Sequence, residues 1–264
     1  MALASPKVTD VFSLRPVGIP EGIVLNPDQW DLDGGSTSRV RSAYISAGFL
    51  LRNLLADTLD IDPSEVELSN LVITSTDNGD TVGTIVLNDK LANGSGYSRW
   101  LHENWEQLLD RLWNPVEGSW AYRMFSEDHR ESCNDACKDC IQQWDNMRYH
   151  GILDWRTGVS LLRILSDGAS QIALDGNFDS EPEMDGWLER AAEMASNASE
   201  IIPNLEATDT VQMAQDAGIG NLPQSPLPVI IRSGARPEIR IMIHPLWDFS
   251  NPQGCLAEAV AVAN

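Results

Sequence analysis

The chain has 264 residues, 42% of them apolar and nine of them Trp, enough for a sizeable core and too apolar for disorder throughout. Lys and Arg number 18 against 39 Asp and Glu, and the formal net charge of −21 argues against a self-sufficient nucleic-acid binder, which needs a basic face. No apolar run approaches the roughly 18 residues of a membrane span, and Met1 to Phe12 lacks the basic start and apolar run of a signal peptide, so a cytoplasmic chain without a membrane segment is expected.

A strand is expected near Gly22–Leu25, after a Pro- and Gly-punctuated start. Asp31 to Ser38 (DLDGGSTS) reads as a turn ending in hydroxyl residues that cap a helix from about Thr37 to Asp57. Ala43, Ala47, Leu50, Leu51, Leu54 and Leu55 give that helix a 3.6-period apolar face. Two strand-like runs follow, Val66–Ser75 and Thr81–Leu87, with the Asn78-Gly79 hairpin signal between them. A Gly-containing loop, Asn88 to Tyr97, leads into a second amphipathic helix from Tyr97 to Trp113, which Pro115 and Gly118 end.

Helical patterns return at Ile141–Trp144 and Asp154–Leu165. From Gly176 to Gly220 ten acidic residues stand against one Arg, with a helix expected near Met184–Ser196. Val229–Arg232 and Ile239–His244 read as strands paired around Gly234, followed by a short helix from Cys255. The pattern predicts an α+β fold, a mixed α/β architecture with a small antiparallel sheet and packed helices. It divides into residues 1–170 as a first domain, 171–225 as an acidic helical or linker region, and 226–264 as a strand pair and helix packed on the first domain.

The sharpest chemical signal is Ser132 to Cys140 (SCNDACKDC), a C-x3-C-x2-C cluster holding three of the four cysteines. In a cytoplasmic chain such clustering points to metal before disulfide, and zinc takes four soft or borderline ligands in a tetrahedron. The fourth must come from elsewhere: His129 stands one helical turn before Cys133, His150 ten residues after Cys140, and Cys255 far along the chain.

Other features weigh less. Asn93-Gly94-Ser95-Gly96 opens a helix and reads as a capping turn before a phosphate site, since the P-loop order is missing. His150 to Arg156 (HGILDWR) reads as a polar network with Asp154 as a helix cap, and His244 as a packed strand-end residue.

Together these pieces resemble a known family. The helix ending in Leu59-Asp60-Ile61-Asp62, the strand running into VLNDKLANGSGY, the Cys cluster and the following WDNMRYHGILDWR resemble the MrfA-type zinc-binding domain, over roughly residues 38–167. That module closes many DEAD/DEAH superfamily-2 helicases and occurs in companions of DISARM-type phage-defence helicases. The resemblance implies Zn2+ held by the thiolates of Cys133, Cys137 and Cys140. Some branches carry a further Cys just before the cluster, where Glu131 and Ser132 stand here; branches keeping the later His match it with His150, which the resemblance makes the first choice for the fourth ligand.

The function so implied is a non-catalytic zinc-binding accessory subunit, not itself an enzyme. It docks on a superfamily-2 helicase or nuclease in antiviral defence or DNA repair, and meets nucleic acid only through the complex. Arg39, Arg41, Arg52, Arg148 and Arg156 are candidates for phosphate contacts there. The rivals are a metal-dependent nuclease using His150, Asp154 and Asp89, and a stand-alone DNA-binding module.

Overall fold

A computed structural model describes residues 8–28, 36–201, 211–212, 226–232 and 238–263 of the chain. The turn expected at Asp31 to Ser38 and the Gly234 turn fall largely or wholly outside these residues. The fold is mixed α+β, and the chain separates into two compact units, Met1–Ile19 with Leu25–Ser170, and Pro20–Val24 with Gln171–Asn264.

In the first unit, β4 (Thr81–Asp89) is the spine of an antiparallel sheet. β1 (Val11–Leu14) pairs with its second half, Val11 opposite Asn88 and Leu14 opposite Ile85. On the other side β2 (Val66–Leu68) and β3 (Val72–Ser75) follow one another along β4, with Leu68 opposite Leu87 and Val72 opposite Thr84. Three residues thus span what two span on β4, a one-residue bulge. The hairpin signal holds: Gly79 has φ +90°, and the turn closes through Thr76 and Asp80. The N-terminal strand lies at Val11–Leu14, whereas Ile23 makes only an isolated bridge to Trp247 within the second unit.

α1 (Ser36–Leu59) crosses this sheet. Its middle is buried nearly all round, and Ser46, Arg52 and Asn53 are buried together with the apolar positions. Two glycines permit that depth. A Cβ on Gly83 of β4 would meet the Tyr44 ring at 2.8 Å, and one on Gly158 would lie 2.9 Å from the Ala47 amide of α1. Gly158 belongs to α6 (Trp155–Ser166), so α1 and α6 touch backbone to backbone.

The second expected helix is two, α2 (Tyr97–Glu103) and α3 (Trp105–Trp113). Asn104 leaves helical geometry (φ −122°, ψ 26°), and its backbone N–H and side-chain NH2 both donate to the Trp100 carbonyl at 2.9 Å, capping α2. Two short helices, α4 (Trp120–Met124) and α5 (Glu127–Ser132), lead to the cysteines. The helix expected from Ile141 is instead a turn followed by a 3-10 segment, Trp144–Ile152.

The second unit buries Phe178, Trp187 and Trp247 against one another, with the Phe178 and Trp187 rings stacked at 5.3 Å. It contains α7 (Trp187–Ile201), the strands β5 (Val211–Gln212), β6 (Val229–Arg232) and β7 (Glu238–Ile241), and α8 (Gly254–Ala263). The three strands form one antiparallel sheet. No described helix is long and apolar enough to cross a membrane.

Candidate metal centre

Ser126 caps α5, its hydroxyl accepting the His129 amide, and so begins the turn that carries His129. The imidazole is buried, and its Nδ1–H donates to the Met124 carbonyl at 2.7 Å. That bond fixes the tautomer and leaves the Nε2 lone pair free, as in a metal-ligating histidine. Cys133 closes the same helix, its amide donating to the His129 carbonyl at 2.9 Å.

Cys137 and Cys140 form a knuckle. The Cys140 and Gln142 amides both donate to the Cys137 carbonyl, and the Cys137 amide points at the Cys140 sulfur at 3.1 Å. The donor atoms of His129, Cys133, Cys137 and Cys140 then lie within 4.8 Å of one another. Among the described residues this is the one group of three or more His, Cys, Asp or Glu that could hold a metal.

The spacing permits a direct test of fit. A tetrahedral zinc about 2.3 Å from sulfur and about 2.0 Å from nitrogen separates two sulfurs by about 3.8 Å, and a sulfur from a nitrogen by about 3.5 Å. Cys133 Sγ and Cys140 Sγ are 3.9 Å apart, and Cys137 Sγ and His129 Nε2 are 3.4 Å apart. A disulfide needs about 2.05 Å, and all three cysteines are free thiols. The donor set therefore matches a closed four-coordinate site.

Charge on the sulfurs is organised by the same contacts. The Cys133 thiol hydrogen bond to Cys140, aided by the Cys137 and Ile141 amides, pulls the Cys140 pKa down to about 4 against its burial. The same bond, with burial, pushes the Cys133 thiol up.

His150, the first choice for the fourth ligand, is not in the cluster. Its Nε2 is committed to the Gln143 carbonyl at 3.0 Å and the Asn146 side-chain oxygen at 2.9 Å, both acceptors, so this nitrogen carries the hydrogen and offers no lone pair. His129 stands in the fourth position instead. Cys255 belongs to the second unit, where its thiol lies 3.8 Å from the Ala173 carbonyl and burial pushes its pKa up to about 11.

The knuckle is fastened from several helices. Asn53 of α1 and the Trp120 indole of α4 both donate to the Cys140 carbonyl, at 2.7 and 3.2 Å. Trp155 and Arg156 at the start of α6 donate to the Cys133 carbonyl, at 3.3 and 2.7 Å, and Arg156 also reaches the Asn134 and Arg130 carbonyls. Arg156 thus gathers the carbonyls at the C-terminal end of α5, where a cation is favoured. Arg52, 3% exposed, grips the Asp145 carboxylate with two nitrogens and also bonds the Gln143 side chain.

Two of the arginines expected at phosphate, Arg52 and Arg156, are used in this way. Arg52 and Arg156 are buried braces, Arg41 binds Asp28 and the Pro27 carbonyl, and Arg148 lies over the Tyr149 ring. The acids of the nuclease reading are similarly engaged. Asp89 is fully buried and accepts the amides of Ser95, Gly96, Tyr97 and Ser98 and the Ser98 hydroxyl, at 2.6 to 3.1 Å. The anion cradle before α2 is filled by the chain's own carboxylate. Burial alone would raise the Asp89 pKa, but the bonds from Ser98, Ser95 and Gly96 outweigh it and hold it below the ordinary value. Asp154 caps α6 through the Arg156 and Thr157 amides, and burial raises its pKa.

Sequence and geometry together define a mixed α+β fold with a His/Cys3 cluster whose spacing could hold a metal ion. Residues 47–141 match the family of the MrfA Zn-binding domain, a segment that holds all four donors and ends before His150. Among solved structures, the DUF1998 helicase MrfA bound to DNA is similar to this chain at 17% identity and a TM-score of 0.28. The match covers 52% of this chain and 15% of the helicase chain, so the common part is a small fraction of that protein. No curated protein matches the chain.

Proposed function

We propose that the chain is a non-catalytic accessory subunit whose metal centre holds one structural Zn2+ through His129, Cys133, Cys137 and Cys140. The observation that carries this reading is the closed four-donor set inside the segment that matches the MrfA Zn-binding domain. Four protein ligands leave no position for water or substrate, which is the arrangement of a structural zinc and not of a catalytic one. The ion's role is to cross-link α5 to the knuckle. The chain's residues do the rest: Arg156 and Trp155 hold Cys133, and Asn53 and Trp120 hold Cys140.

The partner so proposed is a superfamily-2 helicase or nuclease in a cytoplasmic assembly for phage defence or DNA repair, with nucleic acid met through that complex. A net charge of −21, with Arg52 and Arg156 used internally, supports indirect rather than independent contact with nucleic acid. The test is affinity purification of the tagged full chain from its native host, with metal analysis of the same sample. Stoichiometric zinc and a co-purifying superfamily-2 ATPase are expected. Divalent-ion-dependent cleavage of nucleic acid by the isolated chain, abolished by Asp89→Ala without unfolding, would overturn the non-catalytic reading.

A further inference from the structure

The four donors of the metal centre differ in reach. Cys133, Cys140 and His129 are 4%, 2% and 8% exposed, whereas Cys137 is only half-buried. A groove of about 720 Å³ opens beside the cluster, with His129 and Cys140 among its lining residues. Cys137 and Cys140 share one tight turn, their sulfurs lying within 4.8 Å. The carbonyl anchors on Cys133 and Cys140 come from Asn53, Trp120, Trp155 and Arg156, and none of them depends on a metal.

From this geometry we propose that the knuckle is also an oxidant-sensitive release device: a peroxide joins Cys137 to Cys140 and the zinc is lost. The inference rests on the zinc reading above. The Cys137 thiolate, the most accessible, attacks one oxygen of hydrogen peroxide; the O–O bond breaks and hydroxide leaves, giving a sulfenic acid. The Cys140 thiolate attacks that sulfur; the S–O bond breaks, a second hydroxide leaves and the disulfide forms. Two thiolates lose two electrons in all, and one peroxide becomes two hydroxides. A disulfide draws its sulfurs to about 2.05 Å, against about 3.8 Å across a zinc tetrahedron, and removes both negative charges. Cys133 and His129 alone are too few to keep the ion. Because the Asn53 and Arg156 anchors come from the helices and not from the ion, reduction in the presence of zinc rebuilds the site.

The experiment uses the full zinc-loaded chain and a Cys255→Ser variant, which removes the one thiol outside the cluster from the count. Each is treated with hydrogen peroxide while released zinc is read with a chromophoric chelator, and the product is mapped by mass spectrometry after digestion. Release of one zinc per chain, loss of two thiols, a Cys137–Cys140 cross-linked peptide and recovery with dithiothreitol and zinc are expected in both. Zinc that stays bound, or leaves with sulfinic or sulfonic acids in place of the cross-link, would overturn the proposal while leaving the zinc reading intact. A chain that holds no zinc before treatment would overturn both.

Discussion

His129 and Met124 are joined by a 2.7 Å hydrogen bond from the imidazole Nδ1–H to the Met124 carbonyl, and this bond turns Nε2 toward the Cys137 sulfur 3.4 Å away. It distinguishes a ring able to ligate through Nε2 from one that is not. His150 spends its Nε2 on two acceptors, whereas His129 keeps Nε2 for the sulfurs.

The first prediction separates these two histidines. His129→Ala removes a donor and should weaken zinc binding by more than about 100-fold in a chelator competition, beyond the usual effect of losing an outer partner. His150→Ala should keep stoichiometric zinc and lower the unfolding free energy by ~1–2 kcal/mol, because it removes hydrogen bonds to Gln143 and Asn146. Reversal of the two phenotypes would return His150 to the metal.

Part of this centre was legible in the sequence, and the rest was not for identifiable reasons. The cysteine spacing alone pointed to a metal, because thiolates so close in sequence reach one ion with little help from the fold. The interval from His129 to Cys133 already marked one helical turn. What separated His129 from His150 was the carbonyl each ring would meet, and those carbonyls are supplied by tertiary structure. The hairpin around Gly79 and strand β6 were likewise local signals. The break at Asn104 is hidden because the apolar period of residues 97–113 runs on through it, while the non-helical backbone of Asn104 leaves no mark in that period. Burial of Arg52 and Arg156 was hidden too, since a guanidinium reads the same in sequence whether it meets phosphate or backbone carbonyls.

Metal removal should act on tryptophan signals before it acts on the sheet. The Trp120 and Trp155 indoles donate to the Cys140 and Cys133 carbonyls. Chelation is expected to change near-ultraviolet circular dichroism and lower the thermal midpoint, with far-ultraviolet helix signal largely kept at room temperature. A structural zinc site contributes on the order of 10–16 kcal/mol of binding free energy at neutral pH, so a chelator with no effect on the midpoint would speak against one.

Gly158→Ala tests the contact between α1 and α6. Alanine favours a helix by about 1 kcal/mol over glycine. Here its Cβ would lie 2.8 Å from Leu50 Cδ1 and 2.9 Å from the Ala47 amide nitrogen, and backbone cannot give way as a side chain can. Overpacking typically costs ~1–3 kcal/mol, so urea denaturation should show net destabilisation. A more stable variant would mean that the helices lie further apart.

Asp89 gives a pH prediction. Its pKa is lowered in the folded state, so its contribution is present above the unfolded value near 3.9 and is lost as pH falls through the folded value. Asp89→Asn places an NH2 against amide donors and should cost roughly 2–4 kcal/mol at pH 7. The stability gap between the two proteins should narrow on acidification below about pH 4. A gap unchanged between pH 7 and pH 3 would contradict the role given to this carboxylate.

The most direct test of the metal assignment is X-ray absorption at the zinc edge of the purified chain. Three sulfurs at about 2.3 Å and one nitrogen at about 2.0 Å are expected, with no oxygen neighbour. A coordination shell containing oxygen, a second nitrogen, or no zinc at all would contradict the closed His129, Cys133, Cys137 and Cys140 site.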